Sequence, residues 1–171
     1  KLLVLTTLFV MLTEVLIYVP SVANFRLSWL NDRLAAAHTA AFVLEAAPSG
    51  AVPESMVREL LDSIGAKAVA MKTGQQRRLL ALAKTLPPVG HEIDMRDVSW
   101  FRAVFDAFET LWSGDNDLMR VVGTAPMGGE FIEIVVDEKP LRDAMLWFSA
   151  NVLIVSLFIS TMTATLVYFA L

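Results

Sequence analysis

Five cationic side chains lie on or beside segments that the sequence predicts to be β-strands. Guanidinium and imidazolium groups in a sheet-lined pocket can bind a carboxylate or a phosphate. The candidate ligand-binding residues are therefore Arg77, Arg78, His91, Arg96 and Arg120. His91 also has acidic neighbours that favour its protonated form, so it could sense acid pH. The alternative interpretation is that each is an ordinary surface charge with a local ion pair.

Motifs for catalysis or metal binding are not found in the sequence. The chain has two His and no Cys, and it contains no HExxH motif, no Gly-rich phosphate loop after a strand and no Gly-x-Ser-x-Gly turn. Residues 115–117 resemble the start of a calcium loop but lack its glycine and its distal Glu. The sequence therefore predicts a non-catalytic region with no metal and no cofactor. Its net charge of −4 comes without a basic stripe, so we expect no nucleic-acid partner.

Two apolar runs enclose a charged middle section. Each is long enough to cross a bilayer, which takes about 20 apolar residues. We expect membrane-spanning helices at residues 1–23 and 144–171, and one extramembrane domain at residues 24–143. A cleaved signal peptide is the alternative for the first run. Lys1 weakly favours a cytoplasmic N-terminus, which would place the domain outside the cell membrane.

An ionisable residue, Glu14, lies within the first span, where such a group usually faces protein or water. Helical rise places Glu14 roughly level with Ser156. Ser156, Ser160 and Ala164 form a ridge of small residues on the second span. We expect Glu14 to hydrogen-bond to this ridge, within or between subunits; the alternative is that it extends to the membrane surface. Pro20 lies where the span should emerge, so a transmembrane signal would pass through it.

The first helix continues beyond the membrane with apolar residues at alternating spacings of three and four. Such spacing is typical of a heptad seam that packs along another helix. The predicted homodimer seam comprises Leu27, Leu30, Leu34, Ala37, Ala41 and Leu44. The alternative is that the same face packs on the domain's own sheet.

The rest of the domain alternates between helices and short strands. Pro53 and Gly65 bound a helix over residues 54–64, and Ser99 caps an amphipathic helix whose aromatic face we expect to be buried. That face comprises Phe101, Val104, Phe105, Phe108 and Trp112. Strands are predicted at residues 66–71, 78–83, 118–124 and 131–136, with an edge strand around residues 93–95. Turns separate them at residues 48–50, 73–76, 86–90, 113–117 and 126–129. The fold class is therefore α+β, with about five mostly antiparallel strands, similar to PAS-like extracytoplasmic sensor domains.

The two membrane junctions resemble a known family. The run TEVLIYVPSVANFR at residues 13–26 looks like the N-terminal region of alphaproteobacterial sensor histidine kinases, and APMGGEFIEIV at residues 125–135, followed by LRDAM at 141–145, resembles the stretch before their second span. The resemblance implies a receptor in the bacterial inner membrane, with a periplasmic sensor domain that detects an unidentified stimulus. It also implies that a HAMP linker, a His-bearing dimerisation helix and a kinase domain using ATP and Mg follow residue 171, with a cytoplasmic response regulator as partner.

Three other classes of protein share this two-span plan. A chemoreceptor would continue into a cytoplasmic coiled coil, and a cyclase receptor would continue into a cyclase domain. A membrane-anchored assembly or transport accessory module would have no transmitter domain. Because the chain has no initiator Met and stops inside its second apolar run, we expect it to be a fragment of a longer protein.

Overall fold

The computed structural model describes residues 2–46, 53–73, 76–82, 89–113, 118–125 and 129–170. The elements are α1 (Leu2–Ala46), α2 (Glu54–Ile64), β1 (Ala66–Thr73), β2 (Gln76–Leu82), β3 (Val89–Asp94), α3 (Trp100–Trp112), β4 (Leu118–Gly123), β5 (Phe131–Asp137) and α4 (Glu138–Ala170). The α+β class is as the sequence predicts. The predicted turn at residues 48–50 lies outside the described residues, and the others lie partly outside them. The loop predicted at residues 86–90 is wrong at its end, because residues 89 and 90 belong to β3, which pairs with β4.

Within the described residues the strands form one mixed sheet in the order β2-β1-β5-β4-β3. β1 pairs antiparallel with both β2 and β5, and β4 pairs antiparallel with β5. β3 is an edge strand and runs parallel to β4. This one parallel pair arises because α3 connects β3 to β4 and returns the chain to the end of the sheet where β3 began.

The second half of α1 packs on one face of the sheet and forms the core with it. The heptad seam predicted for a homodimer is wrong, because Leu30, Leu34, Ala37 and Ala41 are each at most 5% exposed inside the chain's own core. Leu27 and Leu44 are half-buried against the same core. This face of α1 packs on the domain's own sheet, which is the alternative interpretation of the heptad spacing.

The expectation for α3 is also wrong in part. Small residues take its buried side, namely Ala103, Ala107 and Thr110. The aromatic side chains Phe101 and Phe105 are 80% and 70% exposed, and Trp112 is 81% exposed. Short side chains allow α3 to approach α1 closely, whereas the aromatic rings would hold the two helices farther apart.

Two helix ends follow their local sequence signals. Gly65 ends α2 in the left-handed region at φ 66°, a conformation that glycine adopts without strain. The Ser99 hydroxyl accepts a hydrogen bond from the backbone N–H of Arg102 at 3.4 Å and caps α3. Both signals were predicted from sequence, and both are confirmed.

Two helices are long and apolar enough to cross a membrane, over Leu8–Leu44 and Glu138–Phe169. The first half of α1 exposes apolar side chains around its circumference, as a helix surrounded by lipid does. α1 extends over 45 residues and does not end at Pro20. The same helix therefore has exposed apolar side chains in its first half and core-facing ones in its second.

Gly123 provides a test of how closely β4 packs on α1. A Cβ atom at Gly123 would lie 2.8 Å from Cδ1 of Leu34. We expect Gly123→Ala to lower the free energy of unfolding by about 1–3 kcal/mol and Leu34→Ala by about 2–5 kcal/mol. The double variant should lose about 1 kcal/mol less free energy of unfolding than the two single variants lose together, because the shortened side chain makes room for the new methyl group.

Chemical unfolding of the protein in detergent, followed by circular dichroism, measures this coupling. The control combines Gly123→Ala with Leu61→Ala, since Leu61 is buried on α2, which packs on β1 and β2. That pair should be additive. An additive result for Gly123 and Leu34 would contradict the close contact.

Candidate functional site

A polar cavity of about 160 Å³ lies where the domain meets the two long apolar helices. Side chains from α1, α3, α4 and the strands β3 and β4 line it. Its charged residues are Arg26, His91, Glu92, Arg102, Asp106, Glu109 and Glu138. The Glu92 carboxylate is on the other face of the sheet, 3.5 Å from Arg120. Three carboxylates thus share the cavity with two guanidinium groups and one imidazole, so the cavity has the chemistry to hold a small polar molecule or to exchange protons.

Arg26 is the central residue of this cavity. It is 3% exposed, and its Nε donates a hydrogen bond of 3.0 Å to the Thr110 hydroxyl. That hydroxyl donates in turn to the carbonyl of Asp106 at 3.0 Å, and the Asp106 carboxylate lies 3.9 Å from Arg26 Nη1. Glu138, buried at the start of α4, adds a second carboxylate. We call Arg26, Asp106, Thr110 and Glu138 the junction cluster.

The junction cluster is not among the site residues predicted from the sequence, although one signal for it exists. Arg26 falls on the buried face of α1, three residues after Ala23 and four before Leu30, both of which belong to the core. A charged residue within a buried apolar row requires charged or polar partners. The identity of those partners depends on the tertiary arrangement and is not readable from spacing.

Arg96, one of the predicted ligand-binding residues, forms a local ion pair. Its guanidinium donates to both carboxylate oxygens of Asp94, at 2.9 and 2.5 Å, and its backbone N–H donates to the same carboxylate at 3.0 Å. The Arg96 hydrogen bonds lower the pKa of Asp94 to about 2. This is the alternative interpretation stated from sequence, a surface charge with a local partner.

The other predicted ligand-binding residues do not converge on one pocket. Arg120 lies 3.5 Å from Glu92 and 3.8 Å from Glu133, in a row of charges across β3, β4 and β5. His91 lies on the opposite face of the sheet, 3.9 Å from Glu109 of α3, and lines the cavity of the junction cluster. Arg77 and Arg78 lie on β2, and their side chains are outside the described part of the structure. Among the members of this set whose side chains the structure describes, only His91 lines the polar cavity.

Contacts between α1 and α4 continue from the junction cluster into the spans. The rings of Phe25 and Phe148 stack with centroids 4.5 Å apart. The Tyr18 hydroxyl donates to Ser149 Oγ at 2.9 Å. Deeper in the span, Ser160 Oγ donates to Oε1 of Glu14. The hydrogen bond that the sequence predicts for Glu14 is therefore present, within one chain.

The line of α4 that faces α1 is built from small and medium residues. Those less exposed than their neighbours are Ser149, Val152, Ser156, Ser160, Thr163 and Val167. Ala164, which the sequence places on this ridge, is exposed, and Thr163 is the less exposed residue in that turn of the helix. Ser156 and Glu14 also line an open crevice of about 550 Å³ between the two helices. A role for Glu14, Pro20, Ser156 and Ser160 in signalling stays a prediction.

No protein-family model matches the chain, and neither curated proteins nor solved structures give a match. Across the described residues, no group of three or more His, Cys, Asp or Glu side chains is arranged to hold a metal ion. The site is therefore defined by its own geometry, as a charged joint between a domain and two apolar helices.

The pKa of Asp94 gives a first test of the local ion pair. We expect its carboxyl carbon to titrate with a midpoint near 2 by NMR, and Arg96→Gln to move the midpoint toward the ordinary value of about 3.9. Because the folded pKa lies below the unfolded one, the pair stabilises the fold above about pH 4 and loses this effect as the pH falls toward 2. The remote change Arg58→Gln should leave the midpoint unchanged, and an Arg96→Gln midpoint still near 2 would refute the pairing.

The buried charge of Arg26 gives a second test. Asp106→Leu should lower the free energy of unfolding by about 2 kcal/mol, somewhat less than the ~3–5 kcal/mol typical of a broken buried pair, because Glu138 still faces Arg26. Adding Arg26→Met should restore most of this loss, since the double variant leaves neither member of the pair behind. Thermal unfolding in detergent measures both.

The matched control for this test is the exposed pair Arg58–Glu54 of α2. Arg58→Met should cost no more than about 0.5 kcal/mol, because water screens exposed pairs. If Asp106→Leu and Arg58→Met lower the free energy of unfolding equally, the buried Arg26–Asp106 pair contributes no more to stability than an exposed pair does.

Proposed function

We propose that this chain is the input and transmembrane signalling region of a receptor of the sensor histidine kinase class. The observation that carries the proposal is that the domain is continuous with both apolar helices. α1 and α4 each belong to the domain at one end and have the length and composition of a membrane span at the other. A movement in the domain would therefore reach the spans without passing through a flexible linker.

The junction cluster gives this continuity a specific mechanical joint. Arg26 belongs to α1, Asp106 and Thr110 belong to α3, and Glu138 begins α4. A stimulus that displaces α3 would move Asp106 and Thr110 relative to the buried guanidinium of Arg26. Loss of these partners costs free energy unless α1 or α4 moves together with α3. The helices would then shift along or around each other, in the range of the small helix displacements known in switching proteins.

The remaining parts of the proposal concern surroundings and partners. The domain would lie in the periplasm of a bacterium, with the two helices in the inner membrane. Support for a PAS-like sensor comes from one sheet with the long N-terminal helix on its face. A kinase domain that uses ATP and Mg, reached through a HAMP linker, would follow residue 171 and phosphorylate a response regulator.

The Glu14–Ser160 hydrogen bond tests whether the spans carry the signal. In the full-length receptor in lipid nanodiscs, Ser160→Ala and Glu14→Leu should each change the basal rate of autophosphorylation by roughly three- to eighteenfold. This range corresponds to one hydrogen bond between membrane helices, about 0.6–1.7 kcal/mol, if the bond is kept in only one signalling state. Glu14→Gln keeps an acceptor oxygen and should stay close to the parent protein.

The matched control is Thr161→Val. Its hydroxyl is adjacent in sequence to that of Ser160, but it donates to the Leu157 carbonyl of its own helix, and the side chain is exposed. Unchanged autophosphorylation in Ser160→Ala and Glu14→Leu would remove the bond from the signalling path. A coding sequence beyond residue 171 without a transmitter domain would refute the receptor class and favour an anchored accessory module.

A further inference from the structure

The exposed side of α3 carries a row of aromatic residues that the domain's own core does not use. Phe101, Phe105 and Trp112 are among the most exposed large apolar side chains outside the spans, and Phe108 lies half-buried between them. We call these four residues the α3 aromatic stripe. Contiguous apolar surface of this size outside a membrane marks an interaction site.

The spacing within the α3 aromatic stripe indicates the kind of surface that it contacts. Its members follow one another at intervals of four, three and four residues, the heptad spacing of a helix that packs along a second helix. Ala103 and Thr110, which face α1, lie on the opposite side of α3 from the stripe. The helix thus has one inner contact already made and one heptad seam still exposed.

The direction of α3 fits this seam to a second copy of the chain. β4 begins beside Asp137, the residue before α4, and β3 runs parallel to β4, so α3 begins at the end of the sheet away from the membrane. It then returns until Thr110 contacts Arg26, close to the spans. The stripe therefore leads from the distal end of the domain toward the membrane over about 16 Å.

Two copies inserted in one membrane with the same orientation can be related by a twofold axis along the membrane normal. Such an axis places identical surfaces against each other, with the two α3 helices parallel. A seam that leads toward the membrane is then in register with itself along its whole length. A lipid surface could cover Trp112, but Phe101 would lie about 16 Å farther from that surface along the helix.

We propose that the α3 aromatic stripe is the homodimer interface of the extramembrane domain. Its exposed rings would bury about 450 Å² on each copy, taking ~150–250 Å² for a whole aromatic side chain. A total near 900 Å² is below the ~1,200 Å² of most stable soluble complexes. The membrane compensates, because two anchored copies meet at a high effective concentration. The interface deepens the proposed receptor function, because rotation at α3 would act directly on Asp106 and Thr110 of the junction cluster.

Single-cysteine cross-linking in membranes tests this interface. Residues 1–171 contain no Cys, so each introduced thiol is the only one. Phe101→Cys, Phe105→Cys and Trp112→Cys should each form disulfide-linked dimers on mild oxidation, since facing seam positions bring Cα atoms within the ~4.4–6.8 Å that a disulfide spans. Arg102→Cys beside the seam, and Asn31→Cys and Thr39→Cys on the exposed side of α1, are the matched controls and should cross-link at least tenfold less.

A second measurement does not depend on disulfide geometry. Phe101→Ser combined with Phe105→Ser should weaken energy transfer between labelled copies in vesicles at least tenfold, while the thermal unfolding of each copy changes little because both rings are exposed. Cross-linking that is strongest on α1, or equal at all positions, would overturn the α3 interface. The chain has four Trp, so quenching by lipid is compared between the parent protein and Trp112→Phe. Monomers in every variant, with tryptophan quenching by lipid that Trp112→Phe reduces, would assign the stripe's membrane end to lipid and overturn the interface as well.

The test of the α3 interface is independent of the test of the receptor function. The α3 interface is measured in residues 1–171 and needs no downstream domain. A working kinase whose copies cross-link through α1 would retain the receptor function and lose the interface, whereas α3 cross-linking in a protein without a transmitter would do the reverse.

Discussion

The buried guanidinium of Arg26 is the group around which the membrane end of the domain is assembled. A charge removed from water costs several kcal/mol unless nearby groups compensate it. Compensation comes from Asp106 and Thr110 of α3 and from Glu138 at the start of α4. α3 and α4 cannot move far from α1 without leaving this charge uncompensated, so a single side chain constrains three helices just outside the apolar spans.

α1 has to satisfy two different surroundings along one continuous helix. Its first half exposes mainly apolar side chains around its circumference, and its second half buries one face against the sheet. Glu14 is the exception in the first half, and Arg26 is the exception on the buried face of the second. Each has a partner on another helix, so the two charged exceptions are also the points where α1 is tied to its neighbours.

Some of this arrangement follows from local sequence, and some does not. The Gly65 helix end and the Ser99 cap depend on single residues and their immediate neighbours, which is why they are predictable. The Glu14–Ser160 bond is also predictable, because two antiparallel spans of known length leave few residues at the same depth. The partners of Arg26 come from elements separated by 80 or more residues in sequence, and helical periodicity contains no information about such distances.

The two wrong expectations, for the α1 seam and for the aromatic face of α3, have one physical cause. Both helices carry apolar residues at heptad spacing, and spacing shows that a face packs without showing against what. α1 supplies the longer row, and that row is the one buried in the core with the sheet. α3 packs behind it through alanines, because small side chains allow close approach, and its larger rings are left outside. The seam that remains exposed therefore belongs to α3, and contact between two domains would act on the same helix that contributes Asp106 and Thr110 to the junction cluster.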